Sequence, residues 1–160
     1  MLHRLRRANL KRVNLLPINL LIGLLVALGG AFVNQPQPLA HEVELSNEVG
    51  GTLHIEPNDS PKAGTASLTW IALTRRGGQP IPLADCNCNL SVYAQPYSPG
   101  DRPIQQPTLS ATSAEGRTGM PSASITFPRA GAYELVLQGS PTAAGAFSPF
   151  ELRFAVTVAQ

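Results

Sequence analysis

The sequence predicts an all-β fold, an antiparallel sandwich of two sheets with about seven strands. Short runs alternate apolar and polar residues with a period of two, which is the period of a half-buried strand. The 15 Pro and 14 Gly residues punctuate these runs. After residue 40, no long apolar stripe repeats at the 3.6-residue spacing of a helix. We therefore expect strands and turns, and no helices, in the part of the chain after residue 40.

The first two strands are expected at 41–46 (HEVELS) and 52–57 (TLHIEP), since apolar and polar residues alternate in both. The intervening 47–51 (NEVGG) contains two glycines and predicts a turn, so the two runs should pair as a hairpin. A register with Ser46 opposite Thr52 would place Glu44 opposite His54.

Residues 68–74 (LTWIALT) are apolar on both parities and predict a central strand that is buried on both sides at its middle. A further strand is expected at 88–94 (CNLSVYA). The segment 95–121 is poor in large apolar residues and should contain one or two short edge strands, near 108–112.

The last three strands are expected at 124–127, 132–138 (AYELVLQ) and 150–158 (FELRFAVTV). The final run has the clearest pattern, because apolar and polar residues alternate over nine positions. Several short antiparallel strands separated by turns are typical of a two-sheet sandwich.

The N-terminal part predicts export and divides the chain into residues 1–40 and a β-sandwich domain at 41–160. Residues 1–14 are basic, and 20–33 form an apolar or glycine stretch of a length typical of a signal peptide. An uncleaved anchor helix at 15–33 is the alternative. A signal peptide would be cleaved after Ala40, following the Pro/Gln spacer, or after Ala31. The run RRANLK at 6–11 also resembles a twin-arginine signal.

The charge distribution argues against nucleic acid as a partner. The whole chain has a formal charge of +2, but five of its 12 Lys and Arg residues precede the first acidic residue, Glu42. The other seven accompany all ten Asp and Glu residues, so the formal charge of 41–160 is −3. An acidic domain without a basic run offers no surface to a phosphate backbone.

Residues 128–138 (PRAGAYELVLQ) resemble the turn-Gly-x-Tyr start of the penultimate strand in immunoglobulin-like sandwiches. Together with Trp70 and the terminal strand, they make 41–160 similar to small exported bacterial sandwiches of the YtkA-like, FixH-like and copper-resistance-C-like kind. The resemblance implies that Tyr133 is a corner tyrosine whose hydroxyl bonds back to the backbone.

The same resemblance implies a copper site at a mature N-terminal His41, whose terminal amine and imidazole would chelate Cu(II), with His54 as a second ligand. The alternative is that His54 is a surface histidine paired with Glu44. Cys86 and Cys88 are two residues apart, so both thiols should face one way in a strand and could share Cu(I). Because Cys88 continues the apolar parity of Leu90 and Val92, the first interpretation is that the two cysteines are buried small residues, and a local disulfide is the other alternative.

We expect no enzyme, since the sequence contains no G-x-S-x-G, H-E-x-x-H or glycine-rich phosphate loop. The function expected first is that of an exported, non-enzymatic binding or accessory module without a cofactor. Its protein partner at the outer face of the membrane is unknown, and it would touch the membrane only through an uncleaved N-terminal segment. The alternative is a periplasmic copper-binding or copper-delivery protein that uses the predicted metal ligands, His41, His54, Cys86 and Cys88.

Overall fold

The computed structural model describes residues 42–160, which form nine strands and one short 3-10 helix at Leu83–Asp85. The predicted export segment, 1–40, and His41 lie outside the described residues, so the division into 1–40 and 41–160 stays a prediction. No helix in 42–160 is long and apolar enough to cross a membrane. The strands are β1 Val43–Ser46, β2 Val49–Ile55, β3 Ala66–Arg75, β4 Gln79–Pro80, β5 Cys86–Ala94, β6 Ser110–Ala114, β7 Arg117–Thr126, β8 Gly131–Pro141 and β9 Phe150–Val158.

The strands form two antiparallel sheets that pack as a sandwich, which confirms the predicted fold class. The larger sheet has the order β1-β2-β3-β7-β6, with β4 paired to one end of β3. The smaller sheet has the order β5-β8-β9. Without β1 and β4, the remaining seven strands have the four-plus-three arrangement of a constant-type immunoglobulin sandwich. The structure thus has two strands more than the seven expected.

The core lies between the two sheets and is built from alternate positions of each strand. In β9, whose predicted bounds are confirmed, every second side chain from Phe150 to Val158 is buried and the others are exposed. In β3, the residues from Trp70 to Leu73 are buried on both faces, as predicted. The fully buried core side chains include Ile71, Leu90, Ile125, Phe127, Leu135, Leu137, Leu152 and Phe154.

The first hairpin turns earlier than the sequence predicts. Asn47 and Glu48 alone form the turn, and Ser46 pairs with Val49. The two glycines assigned to the turn lie inside β2 instead. Gly51 is needed there because a Cβ at this position would lie 2.5 Å from Leu152 Cδ1 on the facing sheet. The glycine therefore permits close packing of the sheets, a requirement that resembles a turn signal in the sequence.

Strand β1 connects the two sheets at one edge of the sandwich. Its Val43 and Leu45 side chains point to solvent and are 60% and 78% exposed. On its other side, Ser46 Oγ accepts a hydrogen bond from the backbone N–H of Glu151 in β9 at 3.3 Å. Just before β1, Glu42 Oε1 accepts one from the N–H of Ala155 at 3.0 Å. These side chains satisfy backbone donors on the free edge of β9.

The weakly patterned segment 95–121 contains the edge strand expected near 108–112, which is β6, and the first half of β7. Before β6, the chain runs back along β5, where the N–H of Val92 donates to the carbonyl of Gln105 at 2.9 Å. Strand β7 starts at Arg117, well before the predicted 124–127. The sequence does not reveal its first half, because Pro121 and small residues interrupt the alternation of apolar and polar side chains.

Candidate functional site

His54 lies on the outer face of the larger sheet, where it stacks on Trp70. The two ring centroids are 3.7 Å apart and the rings are inclined by 6°. His54 is 7% exposed, and Trp70 also packs against Met120 from β7. The prediction of a surface pair between His54 and Glu44 is wrong, because the shorter turn places Glu44 opposite Gly51.

A cleft of about 220 Å³ opens beside His54 at the end of β2. Its polar lining comes from the β2–β3 loop and the β6–β7 turn. One of the loop carboxylates, Asp59 Oδ1, accepts a hydrogen bond from the N–H of Ile55 at 2.6 Å and thus serves the turn. No group of three His, Cys, Asp or Glu residues within 42–160 is placed to hold a metal ion. A metal at His54 therefore stays a prediction.

Cys86 and Cys88 form a disulfide within β5, with their Cα atoms 5.2 Å apart. Cys86 is 5% exposed, whereas Cys88 is partly exposed, and both contact the core. Since the thiolate is the form of cysteine that binds copper, this pair would have to be reduced before it could act as a ligand. The structure does not bring it to His54, which lies on the outward face of the other sheet.

A site that the sequence did not predict lies on the outward face of the smaller sheet, around Arg153. Its Nη1 donates to Tyr97 Oη at 2.7 Å and to Glu134 Oε2 at 3.0 Å. The Tyr97 hydroxyl donates to the same Glu134 carboxylate. The Nε and Nη2 atoms of Arg153 contact Glu151 Oε1 at 2.8 and 2.6 Å. This network connects the loop after β5 to β8 and β9.

The network shifts the proton affinities of its members. The hydrogen bond to Glu134 is the main reason that the pKa of Tyr97 is raised above its ordinary value, so the hydroxyl keeps its proton. Hydrogen bonds from Gln138, at 2.7 Å, and from Arg153 lower the pKa of Glu151. Glu151 in turn raises the pKa of Arg153. At neutral pH, Tyr97 therefore keeps its proton, Glu151 is ionised and Arg153 is positively charged.

Two stacked tyrosines form the side of this site. The Tyr93 and Tyr97 rings lie 4.3 Å apart and nearly parallel, at 15°. They border a cleft of about 220 Å³ whose rim includes Ser98, Asp101 and Arg153. We call this surface the Tyr97 cleft. Its floor includes Val136, an apolar residue on the outward face that is only 4% exposed.

Part of the site around Arg153 could have been recognised from the sequence. Glu134 and Gln138 share the outward parity of β8, and Glu151 and Arg153 share that of β9, so charged and polar side chains at neighbouring strands were visible. Tyr97 lies in the weakly patterned segment, and nothing in its local sequence indicates that the loop folds onto the smaller sheet.

The sequence matches no protein-family model and no curated protein. In structure, the chain is similar to FetP of uropathogenic E. coli strain F11, whose crystal structure was determined on protein expressed in the periplasm of E. coli BL21(DE3). The TM-score is 0.51 at 16% sequence identity, over 75% of this chain and 94% of FetP. At this identity the likeness concerns the fold, a small β-sandwich. Membership in the YtkA-like, FixH-like or copper-resistance-C-like families stays a prediction.

Proposed function

We propose that this protein is an exported, non-enzymatic accessory module that binds a protein partner at the outer face of the membrane through the Tyr97 cleft. The observation that carries the proposal is the combination of Tyr93, Tyr97 and Arg153 around one cleft on an otherwise regular sheet. Tyr and Arg are enriched at the centres of protein interfaces, where rigid aromatic rings and the planar guanidinium supply most of the binding energy.

The charge of the cleft favours a partner with basic side chains. Asp101, Glu134 and Glu151 surround Arg153, and this guanidinium is already engaged with two of the three carboxylates. The excess negative charge and the partly exposed tyrosine rings would attract Lys or Arg side chains of a partner, by charge and by cation–π contact.

Three observations support export. The basic segment followed by the apolar stretch is typical of a signal peptide or an N-terminal anchor. The Cys86–Cys88 disulfide is of a kind that persists in oxidising compartments. The structurally similar FetP was produced in the periplasm.

Cell fractionation tests the export part of the proposal. We expect the full-length chain outside the cytoplasm with oxidised cysteines, and a chain lacking residues 2–40 inside it with reduced ones. The N-terminal residue of the exported form would show whether cleavage occurs before His41. Recovery of the full-length chain from the cytoplasm would contradict the proposal.

Site-directed photo-crosslinking in the native cells tests the binding surface. A photoreactive residue in place of Ser98, which is exposed at the rim of the Tyr97 cleft, should give a discrete crosslinked product. The matched control is the same residue in place of Ser113, which is exposed on β6. Tyr97→Ala should reduce the Ser98 product about tenfold, as expected for an interface hot spot. Equal crosslinking from both positions would refute this surface.

A further inference from the structure

We propose that the Cys86–Cys88 disulfide is redox-active and is passed, by thiol–disulfide exchange, to a partner protein that presents a pair of thiols. This activity goes beyond the binding role proposed above. It rests on where the bridge lies in the fold, on the difference in exposure between its two cysteines, and on the space around it.

The bridge joins no two elements of the fold. Both cysteines belong to β5, whose backbone is already fixed by pairing with β8, where Cys86 faces Pro141 and Cys88 faces Gly139. A disulfide stabilises a protein mainly by closing a long loop in the unfolded chain. With one residue between its cysteines, this bridge closes one of the shortest loops possible. Stabilisation of the fold therefore does not explain why the bridge is present.

The strand that pairs with β5 leaves room for the bridge at Gly139. A Cβ at position 139 would lie 2.8 Å from Cys86 Sγ and 2.4 Å from Phe150 Cζ, so only glycine fits opposite the disulfide. The β5–β8 pairing does not depend on the bridge, and it would hold the two cysteines side by side after reduction. These are the chain's only two cysteines, so no internal reshuffling competes with reclosure.

The two cysteines differ in their exposure to solvent. Cys86 is 5% exposed, whereas Cys88 is partly exposed. An incoming thiolate therefore reaches Cys88, since exchange requires access to the sulfur that is attacked. Cys86 becomes the leaving group and is held next to the mixed disulfide.

A cleft at the same end of the sandwich could seat the partner. Its volume is about 180 Å³, and its lining includes the apolar Ile81 and Phe147. Asp85, also in the lining, directly precedes Cys86, and its carbonyl accepts a hydrogen bond from the N–H of Thr142 at 3.0 Å. An apolar side chain near the partner's cysteine would fit this cleft.

The exchange balances without any further reactant. A partner thiolate attacks Cys88 Sγ, the S–S bond breaks, and Cys86 leaves as a thiolate that takes up a proton. The partner's second thiol then loses its proton and attacks the partner sulfur of the mixed disulfide, which releases Cys88 as a thiol. The partner loses two electrons and two protons and gains a disulfide, and the chain becomes a dithiol. Glutathione disulfide would restore the bridge by the same steps in reverse.

Equilibration of the full-length chain in glutathione buffers tests the redox activity. Thiols are alkylated after quenching and counted by mass spectrometry, while circular dichroism reports on the sheets. We expect the bridge to open and close reversibly at millimolar reduced glutathione with the β-sheet signal unchanged. Asn87→Ala, which changes only the exposed residue between the cysteines, should behave like the wild type. A bridge that resists about 10 mM reduced glutathione until denaturant is added would overturn the proposal.

Two single variants test which sulfur is attacked. Cys86→Ser leaves Cys88 as the only thiol, and Cys88→Ser leaves Cys86. We expect Cys86→Ser to form a mixed disulfide with oxidised glutathione about tenfold faster than Cys88→Ser, because reactivity follows exposure. Equal rates would refute the assigned order of attack. If either variant fails to fold, the wild-type equilibrium still decides whether the bridge is redox-active.

Discussion

Tyr133 lies near the start of β8, where its hydroxyl donates to the carbonyl of Arg129 at 2.8 Å and accepts from the N–H of the same residue at 3.3 Å. This is the corner tyrosine that the resemblance to immunoglobulin-like sandwiches implied. The residue could be recognised from sequence because the bond is local, spanning four positions, and its partners are backbone atoms that any sequence provides.

Tyr133→Phe should lower the free energy of unfolding by about 1–2 kcal/mol, since it removes both hydrogen bonds of the hydroxyl and leaves the packing of the ring unchanged. Urea denaturation measures the effect. Tyr93→Phe is the control, because the Tyr93 ring stacks on Tyr97 with no hydrogen bond from its hydroxyl within the described residues. Equal losses in both variants would argue against a specific role for the corner.

The buried hydroxyl of Thr69 should destabilise the fold, so that its removal makes the protein more stable. The residue is 1% exposed, and within 42–160 its Oγ1 has no hydrogen-bond partner. Thr69→Val replaces the hydroxyl with a methyl group of similar shape and should raise the free energy of unfolding by about 1 kcal/mol. Thr157→Val, at an exposed position of β9, should change it by less than about 0.5 kcal/mol. A destabilised Thr69→Val variant would contradict this reading.

At the scale of elements, β2 contains two adjacent glycines with different roles. A Cβ at Gly51 would lie within 3.3 Å of Leu152, Phe154 and Ile71, whereas one at Gly50 would meet Leu45 Cδ2 at 3.1 Å. Leu45 is 78% exposed and can move aside. Gly51→Ala should therefore cost about 1–3 kcal/mol by overpacking, and Gly50→Ala less than about 0.5 kcal/mol.

Denaturant unfolding of the two variants compares these costs directly. Because both substitutions add one methyl group to the same strand, a change in strand propensity would affect them equally. Two equal costs would show that close packing at Gly51 is not what requires the glycine.

The loop after β5 should loosen at alkaline pH. Because the hydrogen bond to Glu134 raises the pKa of Tyr97, an opened loop would release the Tyr97 proton before a closed one does. The contribution of this bond is therefore fully present below pH about 10, the ordinary tyrosine value, and is lost as the pH rises through the raised pKa.

An ultraviolet titration of the tyrosines, compared with that of Tyr97→Phe, isolates the Tyr97 transition. In Glu134→Gln this transition should move to lower pH, because the carboxylate that raises the pKa is gone. An unchanged transition in that variant would show that Glu134 does not control the proton of Tyr97.

For the whole molecule, stability should come from the core and not from the disulfide. The core is continuous between the two sheets, while the bridge spans a single residue within β5. Cys86→Ala/Cys88→Ala should therefore remain folded with a cooperative transition and lose about 2 kcal/mol or less. Thermal unfolding followed by circular dichroism checks this, and a variant without a cooperative transition would contradict it.

The predicted metal ligands illustrate what the sequence could not decide at this scale. The sequence groups His54 with the cysteine pair by their chemistry, yet they lie on different sheets and different faces. Copper binding by His41, His54, Cys86 and Cys88 stays a prediction, and for the cysteines it requires the reduced state. The Tyr97 cleft, in contrast, brings together residues from 93 to 153 that no motif connects.

The sequence by itself determined the sandwich class, the corner tyrosine and the final strand, because a period of two and local backbone bonds depend only on near neighbours. It also predicts the export segment from charge and hydropathy alone. Tertiary structure decided the register of the first hairpin and the position of the Tyr97 loop. Both depend on contacts with a distant part of the chain: Leu152 of the facing sheet lies opposite Gly51, and Arg153 lies beside Tyr97. Such contacts join residues that are 56 to 101 positions apart, and no local pattern records them.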